Sequence, residues 1–263
     1  YRDLAKLFGK GAVYSRTTTL VFRLGPVVGL AAVVTAAALV PAGGAGAAVA
    51  FEGDLIVLAY LLGLLRFLTV VGALDTGSSF EGMGASREVH FSALAEPVLV
   101  LALAALARLA GTASLSTMYG AITPAAWVGA GPALAMVAAA LLAVILTENA
   151  RIPVDDPNTH LELTMIHEVM VLDYSGPDFG FILYGAALKL WVLGSLLVGV
   201  IVPVRSGTAV ADVAAYLAGL AGVAVLIGVI ESTMARLRLL RVPQLLIGAG
   251  ALGVFALVLV WRV

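Results

Sequence analysis

The chain has 263 residues, of which 62% are hydrophobic and only 12% charged. Soluble domains carry about twice that charged fraction, so most of this surface must face lipid. The formal net charge is −1, which indicates no nucleic-acid partner. The chain has no cysteine, which excludes disulfides, Cys-ligated zinc, iron–sulfur clusters and a thiolate-held nickel–iron centre within it.

Apolar runs long enough to cross a bilayer recur from end to end, and a span needs roughly 20 such residues. They lie at about Leu20–Val40, Leu55–Leu74, Phe91–Ala110, Ala126–Thr147, Phe179–Pro203, Val213–Ile230 and Pro243–Trp261. The sequence therefore predicts an all-α, polytopic integral membrane helix bundle of about seven spans. Residues 1–263 are expected to form a single transmembrane domain.

The lysines and arginines predict the orientation of the bundle, because cytoplasmic loops are enriched in them. With alternating spans, ten fall on one side: Arg2, Lys6, Lys10, Arg16, Arg23, Arg87, Arg151, Arg236, Arg238 and Arg241. The other side receives Arg205 and Arg262, with Arg108 near its surface. The N-terminal segment is thus predicted to be cytoplasmic, and the C-terminus to lie outside.

Two segments outside the spans have patterns of their own. In residues 1–16 an apolar stripe of Leu4, Leu7 and Phe8 lies beside two lysines, which predicts an amphipathic helix on the membrane surface. Residues 148–178 form the longest polar stretch, predicted to be a cytoplasmic loop.

A helix is expected inside the polar loop. It could begin at Asp156, which precedes Pro157, or at a capping box formed by Thr159 and Glu162. Its apolar residues occupy more than one face, so either the bundle or a partner protein should cover it. The histidines of this loop have no third strong ligand at a useful spacing, so no metal site is predicted.

Charged residues within the spans are the stronger functional signal, since a charge at the bilayer centre costs about 2.5–3.5 kcal/mol. Arg66 lies about 16 Å into its predicted helix, Lys189 lies at similar depth, and Glu96 lies one or two turns inside the cytoplasmic face. These residues could form static buried ion pairs. The alternative, which we favour, is a hydrated polar path with titratable groups along it.

Three further acids mark predicted cytoplasmic ends of spans: Asp75, Glu148 and Glu231. Solvation at the membrane interface explains them as well as membership of a polar path does. The acids therefore gather in the cytoplasmic half, while two bases lie near the middle of the membrane. This polarity predicts a chamber that opens toward a cytoplasmic partner.

The polar loop resembles the NADH dehydrogenase subunit 1 family, a membrane subunit of respiratory complex I. The family pattern is roughly Pro-Phe-Asp-x-Pro-Glu-x-Glu-x-Glu-Leu, ending near Glu-Tyr-Ser-Gly. Here the loop runs from Pro153-Val154-Asp155-Asp156-Pro157 to Glu162-Leu163, then Asp173-Tyr174-Ser175-Gly176. Asp155 and Glu162 match the family's first acid and last Glu, whereas Asn158 and His160 replace two acidic positions.

Three other stretches resemble the formate hydrogenlyase subunit 4 branch of that family. They are Gly77-Ser78-Ser79-Phe80-Glu81-Gly82-Met83-Gly84-Ala85-Ser86-Arg87-Glu88, the stretch Glu162-Leu163-Thr164-Met165-Ile166-His167-Glu168-Val169-Met170, and the opening Tyr1 to Tyr14. Members of the family have eight spans, so the first is expected to be absent from this chain.

The resemblance implies a non-catalytic membrane subunit of an oxidoreductase complex, multi-pass in the cell inner (cytoplasmic) membrane. It would anchor a membrane-bound nickel–iron hydrogenase and couple electron transfer to proton or sodium movement. The chain itself would hold no cofactor, and the nickel–iron centre and iron–sulfur clusters would lie in partner subunits. The expected partners are hydrogenase large and small subunits, iron–sulfur subunits, antiporter-like membrane subunits and lipid. Two alternatives are a subunit of the quinone chamber of complex I and a purely structural anchor.

The residues expected to act fall into two sets. The ion-translocation and coupling set is Asp155, Glu162, Glu96, Glu168, Arg66, Lys189, Glu148 and Glu231. The set at the partner interface or chamber is Asp75, Glu81, Arg87, Glu88, Arg151, Asp156, His160 and Asp173.

The purified chain is expected to carry no metal and no redox activity, because it has no cysteine and no predicted three-ligand cluster. Elemental analysis of a clean preparation tests this expectation. Stoichiometric nickel, iron or zinc would contradict it.

Overall fold

The structure is a computed structural model that describes residues 2–155, 166–203 and 207–261. Over these residues it contains helices and no strand. Seven helices are long and apolar enough to cross a membrane. They are α2 (Leu20–Leu39), α3 (Asp54–Asp75), α4 (Ser79–Ala110), α6 (Pro124–Glu148), α7 (Gly176–Ile201), α8 (Ala209–Thr233) and α9 (Val242–Trp261). The prediction of an all-α membrane bundle is confirmed.

Four shorter elements complete the described chain. They are helices α1 (Arg2–Phe8) and α5 (Leu115–Ala121) and two 3₁₀ helices, Glu168–Val171 and Leu239–Arg241. Helix α1 is shorter than the surface helix expected over residues 1–16. Helix α4 begins at Ser79, well before the expected start at Phe91. Of the helix expected in the polar loop, the described part is the 3₁₀ turn.

Local sequence explains where several helices begin and end. The Thr123 hydroxyl accepts a hydrogen bond from the Ala126 N–H at 3.2 Å, and Pro124 occupies the first position of α6. Helix α4 ends at Gly111, whose φ of +71° is the left-handed conformation that glycine adopts most easily. Such signals lie in a few adjacent residues, so they act before tertiary packing.

The apolar core lies where α4, α6 and α7 meet, with α2, α3 and α9 around them. Leu103, Leu141 and Leu196 are fully buried there. Helix α8 lies at the edge of the bundle, and the buried residues along it are Val223 and Ile227.

The alternating helices give the bundle two ends. We call the end that holds residues 9–19, 149–155, 166–175 and 234–241 the loop end. Helix α1 packs near it against α7, with the Phe8 and Phe181 ring centroids 5.5 Å apart. The Tyr14 hydroxyl donates to Asp178 Oδ2 at 2.7 Å, and this hydrogen bond raises the pKa of Tyr14.

The opposite end is held by a buried carboxylate. Asp54, at the start of α3, has no exposed surface. Its oxygens accept hydrogen bonds from the Leu115 N–H at 2.6 Å and the Ser114 hydroxyl at 3.2 Å. Asp54 thereby ties α3 to the start of α5.

Replacing this acid should destabilise the protein. Asp54→Ala leaves buried donors without an acceptor, which costs about 1–3 kcal/mol of unfolding free energy. Unfolding in mixed detergent micelles measures the loss. Glu52→Ala is the matched control, because exposed Glu52 accepts from the nearby Ala113 N–H at 2.7 Å and should cost less. Equal stability of Asp54→Ala and wild type would contradict this role.

Candidate functional site

Arg66 is the centre of an ion cluster inside the bundle. Its side chain, on α3, is 9% exposed. Its Nη2 lies 2.5 Å from Glu148 Oε1 on α6, its Nε lies 3.4 Å from Glu88 Oε1 on α4, and its Nη1 contacts Glu96, also on α4. Three carboxylates from two other helices thus surround one guanidinium.

Glu148 joins this arginine to a second base. Its other oxygen, Oε2, lies 3.8 Å from Lys189 Nζ on α7. Glu148 is the last residue of α6 but is only 6% exposed, so it is buried within the bundle. The reason is that α6 ends beside the side chains of Arg66 and Lys189, and the chain that follows turns inward, burying Val154 and Asp155.

The cluster does not balance its own charge. Arg66 and Lys189 supply two positive charges, whereas Glu88, Glu96 and Glu148 supply three negative charges when all are ionised. The net charge is then −1. Four of these five groups are buried, whereas the Glu96 side chain is 51% exposed.

A chain of contacts links the cluster to the loop end. His167 Nε2 lies 3.3 Å from Glu88 Oε2. The backbone N–H groups of Ile166 and His167 donate to Asp155 Oδ2 at 3.1 and 3.3 Å. Asp155 Oδ1 in turn lies 3.0 Å from Arg236 Nη2.

The segment that carries these contacts, residues 166–170, packs against a glycine of α4. A Cβ on Gly84 would lie 2.2 Å from Val169 Cγ1 and 2.9 Å from the Ile166 carbonyl oxygen, so no larger residue fits without displacement. Val169 and Met170 are buried against it. The sequence signal was the glycine in the Gly82-Met83-Gly84 run, and its meaning becomes clear only from the packing.

A cavity of about 430 Å³ adjoins the cluster between α2, α3 and α7. Arg66, Glu148 and Lys189 line its polar part, and Leu65 and Phe181 belong to its largely apolar wall.

Tyr174 forms one side of this cavity. Its ring stacks on Phe22 at a centroid distance of 3.9 Å. Its hydroxyl packs closely on Gly72, because a Cβ at that position would lie only 2.3 Å from the hydroxyl oxygen. Burial raises the pKa of Tyr174.

The structure brings together most of the residues predicted for the coupling path. Arg66, Glu96, Glu148 and Lys189 belong to the cluster, and Glu168 lines the cavity. Asp155 reaches the cluster through the segment it holds. Glu88, predicted for the partner interface or chamber, is also part of the cluster and lines the cavity. His167 and Arg236 were not predicted, because no spacing rule relates them to Glu88 and Asp155. The functional role of each of these residues stays a prediction.

Two other predicted residues, Arg151 and Glu231, form an ion pair beside the site. Glu231 Oε1 lies 3.4 Å from Arg151 Nη1, and Arg151 lines the cavity.

The remaining predicted residues have local contacts. Asp75 accepts from the Thr19 N–H at 2.6 Å, which ties the end of α3 to the start of α2. Buried Glu81 accepts from the Asp173 N–H at 3.2 Å, and the Asp173 residue is itself exposed. Arg87 is half-buried on α4. Asp156, His160 and Glu162 lie outside the described residues.

The fold and the cluster define a class of protein: a multi-pass helical membrane protein with an ion-pair network that runs from one end into the middle of the bundle. Residues 1–261 match the model of the NADH dehydrogenase family, and the chain belongs to this family.

Three similarities refine this assignment. The chain is 34% identical over 252 residues to formate hydrogenlyase subunit 4 of Escherichia coli (strain K12), covering 93% of this chain and 80% of that protein. It is 35% identical to hydrogenase-4 component C of the same organism, and this similarity covers 77% of this chain and 63% of that protein. The fold resembles a chain of the membrane-bound sulfane sulfur reductase, an archaeal respiratory membrane complex. That TM-score is 0.79 at 18% identity, covering 98% of this chain and 85% of the other.

Removing the central base should destabilise the bundle strongly. Arg66→Met leaves three carboxylates with one base, Lys189, and breaking a buried ion pair costs about 3–5 kcal/mol. Unfolding in mixed micelles measures the loss. The control is Arg108→Ala, which removes a guanidinium 4.9 Å from the Trp261 ring and should cost about 0.5–1 kcal/mol. Similar losses in both variants would show that Arg66 is not the centre of the network.

Proposed function

We propose that this protein is the membrane anchor and ion-translocation coupling subunit of a membrane-bound nickel–iron hydrogenase complex of the formate hydrogenlyase kind. It links electron transfer in a peripheral arm to proton or sodium movement. The observation that carries the proposal is the buried cluster around Arg66. Its net charge of −1 and its contacts toward the loop end suit a site that takes up and releases one cation.

The relatives support the hydrogenase assignment. The curated proteins to which the chain is about one-third identical are subunits of formate hydrogenlyase and of hydrogenase-4. The excess of lysine and arginine favours a cytoplasmic loop end in the inner membrane. The partners we infer are hydrogenase large and small subunits, iron–sulfur subunits and antiporter-like membrane subunits, with all redox centres in those partners.

The coupling itself is electrostatic. A charge change in a redox partner at the loop end acts on the contacts of Arg236, Asp155 and His167. Through His167 and Glu88 it alters how firmly the carboxylates hold Arg66, and hence the affinity of the cluster for an additional cation. In a site of low dielectric constant, a single charge a few ångströms away shifts such an equilibrium substantially.

The cavity favours a second candidate function, the quinone chamber of a complex I-like enzyme. Its volume of about 430 Å³ and its apolar wall with a charged end suit an amphipathic ring compound. Oxidation of the electron donor by the purified complex that depends on added quinone would support this alternative. Turnover by the complex that requires the hydrogenase subunits and no quinone would support the hydrogenase function.

The carboxylate to test is Glu96, because its side chain is 51% exposed and can be replaced without leaving a cavity. In sealed vesicles that hold the whole complex, Glu96→Gln should keep electron transfer but lower redox-driven ion uptake by about tenfold or more. Uptake is followed with a pH-sensitive dye and with ²²Na⁺, which distinguishes protons from sodium.

Glu52→Gln is the matched control, since this acid is exposed at the opposite end of the bundle and outside the cluster. It should pump like the wild type. Full pumping by Glu96→Gln would reject the coupling path and leave a structural anchor.

A further inference from the structure

We propose that His167 is the cation switch of the buried cluster: its imidazole takes up the proton that brings the cluster to neutrality, and it passes the state of the loop to Glu88 and Arg66. This inference deepens the proposed coupling function and rests on it. His167 acts through Glu88 and is therefore a positioning residue.

The geometry around the ring supports this role. His167 Nε2 lies 3.3 Å from Glu88 Oε2, within ion-pair distance. Both ring nitrogens are shielded from solvent, and among the described residues neither makes a well-formed hydrogen bond. A histidine that serves only as a structural link normally donates its one N–H to a fixed acceptor. This ring instead lies beside a carboxylate, with which its charged form makes an ion pair.

The charge of the cluster explains what the proton does. With a neutral imidazole the two bases and three carboxylates carry −1, and with an imidazolium the sum is zero. Imidazole is the side chain whose charge changes most readily between pH 5 and 8.

Charged groups from several elements face the imidazole. Glu88 comes from α4 and Glu148 from α6, and both act on the ring electrostatically. The bases Arg66 and Lys189 contact these same carboxylates. Glu168, the next residue along the chain, and Arg151 line the cavity that the ring borders.

Protonation changes the balance between the two contacts that Glu88 makes, one with His167 and one with Arg66. A proton taken up from the aqueous phase adds to a ring nitrogen, and the imidazolium draws Glu88 toward itself. The 3.4 Å contact between Glu88 Oε1 and Arg66 Nε then weakens, so the guanidinium shifts its contacts toward Glu148 and Glu96. When the proton leaves, Arg66 regains Glu88.

The loop controls this exchange because it carries the ring. Asp155 holds the backbone at Ile166 and His167, and Arg236 holds Asp155. Gly84 allows the same segment to lie directly on α4. A redox partner that shifts this segment would change the distance between imidazole and carboxylate, and so the occupancy of the switch.

The first experiment measures ions taken up per electron transferred, between pH 5.5 and 8, in sealed vesicles with the intact complex. Wild type should change by about fivefold to tenfold across this range, as expected of one titrating imidazole. His167→Gln keeps a polar side chain without the titration, and its ratio should vary by less than about twofold. The matched control is His90→Gln, an exposed histidine of α4, which should retain the wild-type profile.

A His167→Gln profile that superimposes on that of wild type would overturn the switch while leaving coupling through Glu96 in place. Failure of the coupling function shows differently, as unchanged ion uptake in Glu96→Gln at every pH.

The second experiment does not depend on how a His167 variant folds. The chain has three histidines, so ¹⁵N-histidine labelling of this subunit within the complex gives few signals. At a fixed pH near 7, Glu88→Gln should lower the charged fraction of His167 and leave that of His90 unchanged. An unchanged His167 signal would overturn the proposal.

Discussion

The structure depends on one constraint: a guanidinium in the middle of a lipid-facing bundle must be neutralised by carboxylates from other helices. Arg66 meets this constraint through Glu88, Glu96 and Glu148, which come from α4 and α6. These ion pairs link α3 to α4, on which it packs, and to the buried end of α6. Burial makes the charges of Arg66, Glu88 and Glu148 costly unless they are paired. The proposed exchange of one cation rests on the excess of one acid over the bases.

The described part of the polar loop turns partly into the bundle. Pro153, Val154 and Asp155 are buried, whereas Leu172 and Asp173 are exposed. Asp155 uses both oxygens, one toward Arg236 and the other toward backbone N–H groups. The segment that follows packs on Gly84 and brings an imidazole to the cluster. Buried polar segments of this kind are stable only when their groups are satisfied. The proposed switch at His167 uses ring nitrogens that make no well-formed hydrogen bond among the described residues.

The family assignment and the functional assignment rest on different observations. The match over residues 1–261 establishes the family, and a shared fold at 18% identity with an archaeal respiratory complex establishes only the architecture. The hydrogenase relatives, the unbalanced cluster and its connection to the loop end together carry the proposed function. The apolar cavity beside the cluster is the feature that would serve a quinone enzyme, and the same helices build both features.

The sequence by itself determined the membrane class, the seven spans and the depth of Arg66 and Lys189, because hydropathy and helical rise are local properties. It also singled out Asp155 and Glu96, the former through a motif and the latter through its depth. Only the tertiary structure decided which acids meet Arg66, since Glu96 and Glu148 lie 30 and 82 positions away in the chain. It also decided that Glu148 lies inside the bundle and that His167 faces Glu88. Such pairings arise from how helices pack and where a loop crosses a glycine, and no spacing along the chain encodes them.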